Sequence, residues 1–158
     1  MSKKPAIQDA YITVKETHDL TRTRKLPGSR GKLSISGSYV LFLDVTAHKE
    51  TVFLPVSIAS GRKSTGFIYY TEGAKIVGSS AQITVSGEGI TMVASGTIPY
   101  CKIPAGKTAH FKIFADVDVE SARQYRFVIS RINYKLNPND ARYKRFITEI
   151  STSLVKSR

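Results

Sequence analysis

Two groups of cations frame this chain, and they are its strongest chemical signal. Arg22, Arg24, Lys25, Arg30 and Lys32 lie in one stretch around Pro27-Gly28, and Arg142, Lys144, Arg145, Lys156 and Arg158 gather near the other end. Brought together, they would form a phosphate-attracting surface that is salt-sensitive and blind to sequence. The bulk charge points the same way: 24 Lys and Arg against 12 Asp and Glu give +12 over 158 residues. Such a charge attracts nucleic acid, an anionic cell surface or acidic polysaccharide, and keeps the chain soluble by self-repulsion. Charge alone names no partner. No zinc finger, aromatic RNP-type strand or helix-turn-helix accompanies it, so the plain alternative is a solvated basic surface.

The other reactive side chains assemble into nothing catalytic. Gly61-Arg62-Lys63-Ser64-Thr65-Gly66 has the composition of a phosphate loop, but the glycine spacing differs from Gly-x-x-x-x-Gly-Lys-Ser/Thr and a strand follows it. It reads as a basic surface loop. His18, His48 and His110 lack the paired spacing of a metal site. Asp116, Asp118 and Glu120 alternate at a strand end, without the glycine and closing glutamate of a calcium loop. Cys101, the single cysteine, excludes an intrachain disulfide and packs as a small hydrophobe. No Gly-x-Ser-x-Gly elbow presents a nucleophile. The expectation is a protein that is not an enzyme, with no catalytic, metal or cofactor-binding residues.

The elements that must carry these residues read as strands. Ala10 to Glu16 is short and rich in β-branched and aromatic residues, with Tyr11, Ile12, Thr13 and Val14 at its centre. From Thr17 to Lys32 apolar residues become sparse, which predicts a basic linker or long loop. Leu33 and Ile35, then Tyr39, Leu41, Leu43 and Val45, alternate with small or polar neighbours around Gly37. Pro55 confines the run Val52–Val56 to an edge or a strand end. Phe67–Tyr70, Gln82–Val85, Ile90–Val93 and Ile98–Ile103 follow, separated by turn-like compositions. Pro104-Ala105-Gly106-Lys107 is a tight turn by its residue types. Phe111, Ile113 and Ala115 form one apolar face, and Tyr125, Phe127 and Ile129 another, continued by Ile132 and Tyr134 after Arg131.

Residues 140–155 fit two periods. Tyr143, Phe146, Ile147, Ile150 and Leu154 have helical spacing, while Phe146, Thr148, Ile150, Thr152 and Leu154 alternate. Their Ile, Thr and Val content favours a strand. Strands of this length, with turn signals every 8–12 residues or so, predict an all-β antiparallel sandwich. The expected organisation is an N-terminal strand with its basic linker over 1–32 and a sandwich domain over 33–158.

From Val52 to Tyr134 the residues form a wider pattern. Phe53-Leu54-Pro55, Gly66-Phe67-Ile68-Tyr69 and Glu72-Gly73 come first. Ile103-Pro104-Ala105-Gly106-Lys107 with Phe111-Lys112-Ile113, Tyr125-Arg126-Phe127-Val128-Ile129 and Ile132-Asn133-Tyr134 complete it. This resembles the immunoglobulin-like sandwich modules of bacterial cell-surface and secreted proteins, over about half the chain. The resemblance implies an immunoglobulin-like fold and a surface-scaffold role, and it carries no catalytic residues across.

No run reaches the roughly 18 consecutive apolar residues of a membrane span. The opening nine residues hold two lysines but no apolar core of a secretory leader, so the compartment stays open. Two functional expectations result. One is a structural or adhesive surface module that self-associates as a homo-oligomer or filament by exchanging the strand at Tyr11–Val14. A linker of some 16 residues spans about 50 Å when extended, enough to reach a neighbouring subunit. The other is a nucleic-acid-associated, coat-like protein whose basic N-terminal arm neutralises phosphate.

Overall fold

Alternation along residues 108–120 shows most plainly how this chain folds. Phe111, Ile113, Ala115 and Val117 are buried, while His110, Lys112, Phe114 and Asp116 between them are exposed. Successive strand side chains point to opposite faces, so such a strand must lie with one face on a core. The computed structural model describes residues 7–27, 33–60, 66–72, 76–120, 124–151 and 155–156, and the same alternation recurs along 37–47, where Tyr39, Leu41, Leu43, Val45 and Ala47 are buried between less buried neighbours.

In chain order the strands are β1 (Ile7–Gln8), β2 (Ile12–Pro27), β3 (Leu33–Ala47), β4 (Val52–Pro55), β5 (Ile58–Ser60) and β6 (Phe67–Glu72). They continue with β7 (Ile76–Ser86), β8 (Thr91–Ser95), β9 (Ile98–Ile103), β10 (Thr108–Glu120), β11 (Gln124–Tyr134), β12 (Lys144–Ser151) and β13 (Val155–Lys156). One sheet has the order β1-β2-β3-β10-β7, and a second β12-β11-β6-β5, with β13 also on β11. A third, β4-β9-β8, joins the second through a reciprocal backbone pair between Phe53 and Lys135, with N···O distances of 2.7 and 2.8 Å. Pairing is antiparallel except between β5 and β6. The described residues contain no helix, and the sheets do not close into a barrel.

The two layers meet through aromatic rings. Tyr39 of β3 stacks on Phe127 of β11 at 5.3 Å, Tyr69 of β6 tilts against Phe127 at 4.9 Å, and Phe67 of β6 meets Phe111 of β10 at 5.2 Å. Apolar burial of this kind contributes roughly 1.5–3 kcal/mol per large side chain. Gly37 makes room for one of these rings, since a Cβ there would lie 2.7 Å from the Tyr39 hydroxyl oxygen. Gly66 is equally confined: a Cβ would sit 2.4 Å from the Pro55 carbonyl oxygen and 2.8 Å from that of Ser57.

Several expectations hold. Pro55 ends β4, residues 144–151 are a strand, and Pro104 accepts a hydrogen bond from the Lys107 amide across the turn that opens β10. Leu33 to Ala47 is one continuous strand through Gly37. The linker expected from Thr17 to Lys32 is where the structure departs from the sequence reading. β2 continues to Pro27, paired with β3 from Ile12 opposite Ala47 to Pro27 opposite Leu33. A hairpin supplies backbone partners whatever the side chains are, so a polar stretch needs no apolar period of its own to extend a sheet. The remainder of that linker, 28–32, lies outside the described residues, as do 61–65 of the basic loop and 152–154 of the C-terminal stretch.

Candidate anion-binding face

A bulge in β11 decides which side chains leave the core. Phe127 and Ile129 face inward at odd positions, then Ile132 and Tyr134 face inward at even ones. Both ladders of β11 shift register between Ile129 and Arg131: against β6 the extra residue is Ser130 on β11, and against β12 it lies on β12, between Ile147 and Ile150. Arg131, Asn133 and Lys135 therefore project from the outer face. The chain then reverses at Asn137–Asp140, where the Asp140 amide donates to the Asn137 carbonyl and the Asn139 amide to the Asn137 side-chain carbonyl. This return sets Arg145 opposite Asn133 and Ile147 opposite Arg131.

The result is a groove of about 590 Å³ lined by Arg131, Asn133, Arg142, Tyr143 and Arg145. Among these described lining residues three carry guanidinium groups and none is acidic. Tyr143 forms a braced wall: its hydroxyl lies 3.0 Å from that of Tyr100, and the Lys135 ammonium sits 4.4 Å from its ring centroid. Lys135 itself is only 8 % exposed, and it also sits 5.8 Å from the Tyr100 ring centroid. An ammonium against aromatic faces is stabilised by their quadrupoles. Asn133 is 7 % exposed, and its Oδ1 finds no hydrogen-bond partner among the described residues. Arg131 Nε is likewise buried without one.

Of the cations singled out in the sequence, Arg142 and Arg145 line this groove, whereas the Lys144 ammonium lies 4.8 Å over the Tyr11 ring. Arg22, Arg24 and Lys25 stand on β2 opposite Ser38, Ser36 and Ile35. Arg22 is eleven residues beyond Tyr11, which at strand rise is roughly 35 Å along β2. Arg30, Lys32 and Arg158 lie outside the described residues. Arg131, Asn133 and Tyr143 escaped the sequence reading as site residues. Their signal was present in the alternation of Arg131 and Asn133 with Ile132 and Tyr134, one turn away from the Arg142–Arg145 cluster.

Of Tyr11 to Val14, Tyr11 immediately precedes β2 and Ile12 to Val14 open it, in this chain's own sheet. Ile12 and Val14 are fully buried, and Thr13 and Val14 pair with Thr46 and Val45. Asp9 anchors the segment: its carboxylate accepts from the Tyr11 and Ile12 amides at 2.8 Å and from the Tyr134 hydroxyl at 2.6 Å. Burial, that hydrogen bond and the nearby Asp9 charge all hold the Tyr134 phenol above its ordinary range.

The remaining candidates occupy ordinary places. His110 pairs with Asp44 at 2.6 Å on an exposed face, His48 meets the Thr13 hydroxyl, and Asp116 accepts from Ser38 at 2.6 Å. No group of three metal-ligating side chains occurs among the described residues. No helix among them is long and apolar enough to cross a membrane.

Cys101 is buried in the core, and burial pushes its thiol up to about 12 from 9.0. The folded state therefore keeps the proton longer than the unfolded chain does. Its contribution to stability is full below pH 9 and is lost as pH rises toward 12; the Tyr134 shift acts in the same direction. Iodoacetamide at pH 8 should leave the native thiol unmodified while alkylating it in urea, and the thermal midpoint should fall above pH 9. Rapid native alkylation would contradict the burial.

This chain matches no known family, curated protein or solved structure. Its reading rests on its own residues.

Proposed function

We propose that this chain is a non-enzymatic structural module that attaches through the outer face of β11 and β12 to a polyanion, with nucleic acid as the main candidate. The supporting observation is the convergence of Arg131, Arg142 and Arg145 on one groove, with no acidic side chain among its described lining residues. Guanidinium forks bind phosphate oxygens bidentately and hydrate weakly, which suits them to this task. The net charge of +12 adds a long-range attraction that speeds encounter. We read the two facing layers as an immunoglobulin-like sandwich. The turn at Pro104–Lys107 leading into β10, and the Tyr125-Arg126 strand near the end, support that reading.

Self-association by exchange of the strand at Tyr11–Val14 is the companion proposal. An exchanged strand would bury Ile12 and Val14 against β3 of a second copy with the pairing they make here in cis. Asp9, holding Tyr134 across the layers, is the contact that such an exchange must remake.

Fluorescence anisotropy with a labelled single-stranded oligonucleotide tests the polyanion reading. Neutralising three phosphates gives a slope of about −2 in log K against log salt, or a loss of roughly 20-fold between 50 and 200 mM NaCl. Replacing Arg142 and Arg145 together by Gln should flatten that slope to about −0.7. Absence of binding by the unaltered chain at 20 mM salt would end the proposal.

A further inference from the structure

We infer that the groove around Asn133 is a site for a nucleotide unit, a phosphate ester with a hydrogen-bonding base or sugar beside it, rather than a patch that answers to charge alone. This rests on the polyanion reading above and narrows it. A patch selected only for charge has no use for a buried amide. Asn133 is more than nine-tenths buried, its carbonyl has no partner among the described residues, and neither has the adjoining Arg131 Nε. Leaving such groups unpaired forfeits the hydrogen bonds they make in water, and native structures contain few of them.

Asn133 lines the groove with Arg145 directly opposite it on β12 and Arg131 two residues back on the same face. A half-turn about its last torsion exchanges the amide oxygen and nitrogen, so this one side chain offers either an acceptor or a donor. A nucleobase edge carries both, and an Asn amide meets such an edge with paired hydrogen bonds. The flanking guanidinium groups take the phosphate, and Tyr143, braced from behind by Lys135 and Tyr100, supplies an aromatic wall. Unstacked bases pack on such surfaces with little regard for sequence. The volume of about 590 Å³ falls within the range of roughly 300–1,000 Å³ usual for sites that take small molecules.

The test is a competition experiment on the full chain, with labelled single-stranded oligonucleotide displaced by unlabelled oligonucleotide, inorganic polyphosphate or heparin at matched charge. The oligonucleotide should compete at least tenfold better than either other polymer. Asn133→Ala should weaken oligonucleotide binding about tenfold and polyphosphate binding by less than twofold. Equal loss for all three polymers, or no loss, overturns the inference while leaving the polyanion reading intact. Preferential binding of heparin overturns it in favour of an acidic glycan, and failure of every polymer to bind at low salt removes both readings. A measurement on the unaltered chain guards against misfolding of the variant. The Asn133 side-chain amide resonances should move on titration with adenosine monophosphate and not with inorganic phosphate. An equal response to both, or none to either, counts against the site.

Discussion

Phe127→Ala is expected to cost about 3–5 kcal/mol of folding stability, a fall of at least a hundredfold in the ratio of folded to unfolded chain. Phe127 is fully buried where the two layers meet, stacked on Tyr39 from one sheet and packed against Tyr69 from its own. Truncation removes the ring from water-free surroundings, leaves a cavity and forfeits two aromatic contacts at once, each worth roughly 0.5–1.5 kcal/mol beyond its area. Both neighbours belong to ordered strands, so the void closes only in part. Urea unfolding followed by tyrosine fluorescence measures the loss. Ile147→Ala is the matched control, since Ile147 is 70 % exposed on the outer face, and it should change stability by no more than about 0.5 kcal/mol. A cost below 1 kcal/mol for Phe127→Ala would mean that the layers do not meet at this ring.

Deleting residues 1–31 should abolish cooperative folding. The deletion removes β1 and β2, and with them Ile12 and Val14 from the core and the entire β2 ladder of β3. It also removes Asp9, the acceptor that ties Tyr134 to the start of β2. Two buried aliphatic side chains alone contribute roughly 3–6 kcal/mol, comparable with the whole stability of many domains. The exposed β3 edge would then be a template for aggregation. A synthetic peptide spanning residues 7–27, added in trans, separates the two accounts of this strand. Strand exchange predicts a one-to-one complex with a restored melting transition, and a full-length chain whose mass in solution exceeds that of a monomer. A monomeric full-length chain together with a truncated chain that the peptide does not rescue would remove the exchange proposal. A truncated chain that still melts cooperatively would show that β2 is dispensable to the core.

Much of the architecture was legible in the residues themselves. Phe111, Ile113, Ala115 and Val117 alternate with His110, Lys112, Phe114 and Asp116, and a backbone that places successive side chains on opposite faces turns that pattern into one buried face wherever the strand lies. Pro55, lacking an amide hydrogen, had to end a ladder. Ile147, Thr148 and Ile150 favoured a strand over a helix because branched side chains suit a pleated surface. Buried Cys101 needed only its small apolar volume to be read as core.

The candidate site lay beyond such local rules. The sequence marked Arg142, Lys144 and Arg145 as equivalent, but alternation along β12 separates Arg145, on the groove, from Lys144, over the Tyr11 ring, while Arg142 reaches the groove from the bend before β12. Register with β11, and the bulge at Ser130 within it, brought Arg131 and Asn133 beneath those arginines. The length of β2 was decided in the same way, since β3 completes the backbone hydrogen bonds of a stretch whose own side chains carry no apolar period. Side-chain alternation is a property of each short segment and can be read from it. Pairing partner, register and bulge position are set by contacts between segments far apart in the chain, and these determine which charges share a face.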